Sequence, residues 1–262
     1  MRGTLSFGIA RAIDPVKSRV RLAELCEEMT RAVGVVVMPH HADAYRRLAA
    51  DFSDGVVGMA WMPPLLCIEL DKRAATAQVV LPVRRGALTY HSALVARRGA
   101  GPLSLSEIKR VRVAWVDPES SSGYLVPRLH LQAQGRALDT MFSGEVMVGS
   151  HAAVLDAVEA GRADVGATYC ASKAPKWTQL GGTERPLDAL TVTSAIPNDA
   201  VVFSPNVPEA ARAKLVRWLL VEMSPNAQRL TLELMGASQF RLASANHFTP
   251  LRRMLSAASH AT

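Results

Sequence analysis

Val116-Asp117-Pro118-Glu119-Ser120-Ser121-Ser122-Gly123-Tyr124 joins an apolar run to a segment of helical periodicity. Upstream, Val111 to Val116 reads as a buried strand, the kind parallel sheets prefer. Downstream, Tyr124 to Gln134 reads as a helix, so three serines fill a strand-to-helix turn. Helix starts carry unpaired N–H groups and the positive end of the macrodipole, which makes them anion sites. Three hydroxyl donors beside those amides suit a tetrahedral oxyanion such as a phosphonate or phosphate. The same residues also fit a plain capping turn, because Ser is a common N-cap.

A second junction of this kind lies at Gly149-Ser150-His151. Ser150 is a good N-cap for a helix over Ala152 to Ala160, which leaves His151 in the first turn. A histidine there can donate to an anion, or simply be a partly exposed helix-start residue. The strand Asp164 to Thr168 follows. Both junctions sit at carboxyl ends of neighbouring parallel strands, where open α/β sheets place their ligands.

Outward from these junctions the alternation continues. Leu5 to Ala10 reads as a strand, and Asp14-Pro15 opens a helix through about Ala32, with Val20, Leu22, Leu25, Cys26 and Met29 on its apolar face. Gly34 to Met38 is a short strand, Ala42 to Asp51 a helix and Val56 to Trp61 a strand. A second region starts near Leu88, with a strand over Leu88 to Ala96 and a short helix over Ser104 to Lys109. Ala200 to Phe203 is the last clear strand, followed by helices over Pro208 to Met223 and Asn226 to Met235. This β-α-β-α-β order predicts an α/β fold of mostly parallel sheets with helices on both faces.

The chain has 262 residues, 49% hydrophobic and 20% charged, which excludes a disordered or collagen-like polymer. That length allows two lobes, each with its own core. Lys and Arg number 30 against 23 Asp and Glu, for a net charge of +7. The basic residues are mostly arginines in scattered pairs, such as Arg46-Arg47 and Arg252-Arg253, with no aromatic interleaving. They read as a solvated surface, and no nucleic-acid partner is expected. Cys26, Cys67 and Cys170 form no metal-binding spacing, and the adjacent His40 and His41 would point apart, so neither a metal nor a cofactor is expected. No run reaches the ~18 apolar residues of a membrane span. The first ten residues leave no room for a secretory leader, so the chain as written is expected in the cytoplasm, or in the periplasm if Met1 stands in place of a removed leader. A P-loop, a G-x-S-x-G elbow and an H-E-x-x-H helix are all missing.

The order of motifs resembles the substrate-binding proteins of phosphonate, phosphate and phosphite ABC transporters, which have the type II periplasmic-binding-protein fold. Val116 to Tyr124 is similar to the family's V-D-P-x-S-[ST]-S-G-Y, and Gly149-Ser150-His151-Ala152-Ala153 to its G-S-H-x-A. Gly161-Arg162-Ala163-Asp164-Val165 fits downstream. Ile196-Pro197-Asn198-Asp199 resembles its I-P-x-D crossing, and Met235 to Phe240 its ending. The resemblance implies that Ser120, Ser121, Ser122 and His151 hold the oxyanion, that Tyr45 reaches it from the other lobe, and that Asp199 contacts an aminoalkyl substituent. The pattern departs at Ala44, where the family carries an acid, and around Ala171, where no carboxylate is offered to an amine.

The resemblance also implies two lobes joined by crossings near Val83 to His91 and Ser194 to Val202. Lobe one would comprise residues 1–87 and 199–262, and lobe two residues 88–198. The expected function is binding of a small oxyanion, with closure around it, as the solute-binding protein of an ABC transporter or as a leaderless sensor. The expected partner is correspondingly an ABC permease or a signalling protein. The alternative is a cytoplasmic lyase or biosynthetic enzyme on the same fold, for which Asp199, His151 and Glu119 are the only acid–base candidates.

Overall fold

A computed structural model describes residues 4–10, 15–73, 76–173, 175–177 and 184–260. Asp14, expected to open the first helix, lies outside the described residues, as do Met1, Arg2 and Gly3. Along the chain run β1 (Thr4–Ala10), α1 (Pro15–Val33), β2 (Val36–Ala42), α2 (Tyr45–Ser53), β3 (Met59–Met62), α3 (Pro64–Lys72), β4 (Gln78–Pro82) and β5 (Thr89–Arg97). Next come β6 (Val111–Trp115), α4 (Val126–Ala133), α5 (Leu138–Met141), β7 (Phe142–Met147), α6 (His151–Glu159), β8 (Val165–Cys170), β9 (Leu187–Val192) and β10 (Ile196–Pro197). The chain ends with β11 (Ala200–Phe203), α7 (Glu209–Arg217), α8 (Pro225–Met235), β12 (Phe240–Leu242) and α9 (Thr249–His260).

The chain divides into two compact units. The first holds residues 1–88 and 197–247, the second residues 89–196 and 248–262. Residues 248–262, grouped with lobe one on the sequence, cluster with the second unit instead. Their helix α9 lies against α4, and it buries Leu251, Met254 and Ala258.

In the first unit the strand order is β12-β4-β11-β3-β1-β2. The β-α-β-α-β start gives parallel pairs β1–β2 and β1–β3, as its alternation dictates. The returning chain brings β11 in antiparallel to β3 and β4, and β12 antiparallel to β4, so the sheet is mixed. Helix α1 buries Leu22, Leu25, Cys26 and Met29 at helical spacing, whereas Val20, expected on that face, is exposed. Phe7, Trp61, Phe203 and Trp218 complete the same core. The Ser224 hydroxyl caps α8 by accepting from Ala227 N at 3.0 Å.

The second unit is built on the order β10-β5-β8-β6-β7, with β9 also paired to β5. Strand β6 runs parallel to β7 and β8, while β5 is antiparallel to β8 and β9. Successive side chains of a strand face opposite ways, and here both faces are covered. Ala93, Val95, Ala114 and Val116 pack with Val154 and Val158 on one side. Leu94, Ala96, Val113 and Trp115 pack with Leu131 and Phe142 on the other. That double burial explains why β5 and β6 read as near-continuous apolar runs.

The turn after β6 is closed by Val116 N donating to Gly123 O at 3.1 Å. A Cβ on Gly123 would stand 2.2 Å from Val116 Cγ2 and 2.8 Å from Ser120 Oγ, so only glycine allows this approach. In the first unit, Arg84 and Ala87 exchange backbone hydrogen bonds of 2.9 and 3.0 Å across Arg85 and Gly86, which have φ of 51° and 77°. The Asn198 carboxamide, buried, donates to Pro82 O and Ala87 O, both at 3.0 Å.

Two substitutions probe these closures. Asn198→Ala leaves two carbonyls without their donor and is expected to lower stability by about 1–3 kcal/mol in urea unfolding. An unchanged midpoint would show that the two carbonyls find other partners. Gly123→Ala forces Val116 or the turn to move and is expected to cost about 1–3 kcal/mol, read by thermal melting.

Candidate functional site

The serine junction folds as one π turn, Ser121–Leu125, leading into α4. Tyr124 N and Leu125 N both donate to Ser120 O, at 3.1 and 2.9 Å. Pro127, tolerated in a helix's first turn, then sets α4 in place. Tyr124 is turned to the core side, edge-on to Trp115 at 5.5 Å.

The three serines have different surroundings. Ser120 Oγ caps the turn by accepting from Gly123 N at 3.0 Å, which leaves its hydroxyl proton to donate elsewhere. Ser122 is buried, and its carbonyl accepts from Ser92 Oγ at 2.6 Å. Ser121 is the exception: its hydroxyl is shielded from solvent and has no hydrogen-bond partner among the described residues. A buried polar atom in that condition calls for a ligand or a water, because leaving it unpaired costs about 1–3 kcal/mol. The turn thus combines a plain cap, at Ser120, with an unmet donor, at Ser121.

The histidine junction lies beside it. Gly149 N donates to Val116 O at 2.8 Å, extending the β6–β7 ladder to bring the two turns together. Ser150 Oγ accepts from Ala153 N at 3.2 Å, the N-cap expected from the sequence, and α6 starts at His151 itself. His151 Nδ1 lies 3.1 Å from Thr168 Oγ1, and its ring meets Tyr169 edge-on at 4.9 Å. Burial pushes its pKa down to about 4, against a smaller upward pull from Asp117. The ring is therefore neutral at pH 7.

Ser92 and Thr168 carry no motif and were not singled out on the sequence. The signal for each is a polar residue at a position the strand pattern marks as buried. Ser92 Oγ reaches Thr168 O at 3.4 Å as well as Ser122 O, so one hydroxyl spans the serine turn and the strand under His151.

Tyr45 and Asp199 belong to the first unit, whereas the serines and His151 belong to the second. Tyr45 is the first residue of α2, directly after the carboxyl end of β2. Asp199 precedes β11, whose Ala200 pairs with Met62, the last residue of β3. Both therefore lie at the carboxyl edge of the parallel strands, with β3 and β1 between their strands in the order β11-β3-β1-β2. Asp199 Oδ2 lies 3.4 Å from Arg84 Nη2, a residue not anticipated there. Arg84 also donates to Met235 O from Nε at 3.0 Å and Nη2 at 2.7 Å, with its guanidinium over Trp61 at 5.4 Å. Burial raises the Asp199 pKa while Arg84 lowers it.

His40 and His41 lie within β2 and not after it; His40 Nε2 contacts Asp51 Oδ2 at 2.8 Å. Among the described residues no cluster of His, Cys, Asp and Glu could hold a metal ion. No helix among them is long and apolar enough to cross a membrane.

Comparison with known proteins gives the frame for this geometry. The phosphonates-binding periplasmic protein of Escherichia coli (strain K12) is 23% identical over 257 residues, 95% of this chain and 75% of that protein. A Xanthomonas citri protein, solved with chloride and with ATP, superposes with a TM-score of 0.76 at 20% identity, covering 98% of each chain. A binding-protein component of an ABC phosphonate transporter from Pseudomonas aeruginosa gives 0.73 at 20% identity, covering 100% of this chain and 88% of that one. These likenesses establish the type II periplasmic-binding-protein fold. The family described as the periplasmic substrate-binding protein of phosphonate ABC transporters matches residues 7–248, and this chain belongs to it.

Proposed function

We propose that this protein binds a small phosphonate- or phosphate-like oxyanion and delivers it, on the periplasmic side, to an ABC permease. The observation that carries this reading is the Ser121 hydroxyl, buried and unpartnered at the start of a helical turn. An oxyanion there accepts that hydrogen bond together with those of Ser120, Ser122 and the turn's first amides. The neutral His151 ring adds a donor without adding charge. Tyr45 and Asp199, carried by the first unit, are the contacts that the family resemblance adds, and the two units then act as lobes that close on the ligand.

The preferred ligands are those without a cationic substituent. Asp199 already has a cation beside it in Arg84, and Ala44 and Ala171 offer no carboxylate to an amine. Calorimetry with phosphate, phosphite, methylphosphonate and 2-aminoethylphosphonate is expected to find binding to at least one, with the aminoethyl compound no tighter than methylphosphonate. Ser121→Ala and His151→Ala are each expected to weaken that binding by roughly 1–3 kcal/mol, the loss for a hydrogen bond to a charged group. Binding that survives both substitutions unchanged would remove the site from this turn.

The neutral His151 has a second consequence. Its folded pKa of about 4 lies below the ordinary 6.5, so the unfolded chain takes up a proton that the folded one refuses. Stability from this group is complete above pH 6.5 and is lost as the pH falls from 6.5 toward 4. Melting curves of the wild type and His151→Gln across that window are expected to diverge, the wild type losing more stability on acidification. Parallel curves would show that His151 titrates normally.

A further inference from the structure

We infer that Thr168 is a positioning residue, whose hydroxyl holds His151 in the tautomer that carries its proton on Nε2. The inference stands on the hydrogen-bond geometry of the second unit. Its last consequence, that the ring donates to the anion, rests on the function proposed above.

Thr168 lies in β8 with 1% of its surface exposed. Its hydroxyl proton therefore has to be placed within the protein. The partner of Oγ1 among the described residues is His151 Nδ1, at 3.1 Å. Two arrangements fit that distance. If Nδ1 carried the ring proton and donated to Oγ1, the Thr168 proton would be left without an acceptor, in a place water does not reach. The ring would then also present a lone pair on Nε2, which repels an oxyanion. If Thr168 donates to Nδ1, both groups are satisfied and Nε2 carries the proton. The neutral ring has one proton to place, on one nitrogen or the other, and the buried Thr168 hydroxyl, which needs an acceptor, puts it on Nε2.

The surroundings keep this geometry in place. The Thr168 carbonyl lies 3.4 Å from the Ser92 hydroxyl, which in turn holds the serine turn through Ser122 O. The His151 ring rests edge-on against Tyr169, the next residue of the same strand. Asp117 is the charged group whose field reaches the ring. Thr168 and Tyr169 together thus fix the ring's orientation and its proton, and the ring atom left for a ligand is a donor.

Nitrogen-15 NMR of the imidazole in the ligand-free protein at pH 7 tests this directly, since protonated and unprotonated ring nitrogens differ widely in chemical shift. The wild type is expected to show Nε2–H with Nδ1 unprotonated. Thr168→Val, which keeps the shape and removes the hydroxyl, is expected to give a mixture of tautomers or the Nδ1–H form. Thr168→Ser is expected to restore the wild-type spectrum. Methylphosphonate affinity should fall roughly three- to tenfold in Thr168→Val and recover in Thr168→Ser.

An Nδ1–H tautomer in the wild type would overturn the inference, as would an unchanged Nε2–H tautomer in Thr168→Val. Should the valine variant fail to fold, the wild-type spectrum still decides. A wild type that shows Nε2–H but binds none of the four oxyanions supports the positioning role and overturns the proposed function.

Discussion

Ser92 donates its hydroxyl to the carbonyl of Ser122 at 2.6 Å, in a part of the second unit that water does not reach. In the π turn the Ser120 carbonyl takes both Tyr124 N and Leu125 N, and the buried Ser122 carbonyl is met by a donor from elsewhere. Ser92 supplies that donor from the middle of β5. Its own N–H is taken by Thr193 Oγ1 at 3.0 Å, so strand, turn and crossing are bonded into one buried polar network. Such a network stabilises only when its members are satisfied. The Ser121 hydroxyl lies in the same turn but bonds to none of these groups, which is why the turn reads as a candidate site and not only as a cap.

The charge distribution gives a matching account. Several arginines are held in ion pairs: the largely buried Arg185 with Asp156 and Glu159, and, at the surface, Arg98 with Asp188 and Glu184 and Arg112 with Asp164. Pairs this exposed contribute little to stability individually. They do cancel the local fields of the arginines they engage. On the function proposed here, the uncharged donors of the serine turn would hold an anion without the desolvation cost of a buried Lys or Arg. Selectivity in such a site comes from the number and direction of donors.

The sequence made some parts of this structure readable and hid others for physical reasons. Strand β11 is found over Ala200–Phe203, as the apolar run indicates, because all four residues are buried. The Ser150 cap was readable because capping is a local interaction between neighbours. Strand β7 was not, because Phe142–Met147 is a sheet edge with five of its six residues exposed and no apolar pattern. Helix α9 carries a local signal, Leu251, Met254 and Ala258 at helical spacing, but that it packs on α4, more than a hundred residues earlier, is a tertiary fact. Among the candidate site residues, the serines and His151 announce themselves by spacing. Ser92, Thr168 and Arg84 do not, since their partners are fixed by tertiary contacts alone.

Asp199 shows how a motif can carry two meanings. On resemblance it was a ligand contact, yet its carboxylate sits against Arg84, and its neighbour Asn198 clamps Pro82, Ala87 and, through its N–H at 3.0 Å, Leu88. Both residues thereby grip the segment by which the chain leaves the first unit. Taking a carboxylate partly out of water is unfavourable unless a partner is held ready, and Arg84 is held by Met235 O and by the face of Trp61. A sequence resembling Ile-Pro-x-Asp at this place therefore satisfies a folding requirement first. Any ligand group that draws on Asp199 has to compete with a guanidinium already positioned, which makes Arg84, and not the acid alone, the residue that sets the charge at this edge of the sheet.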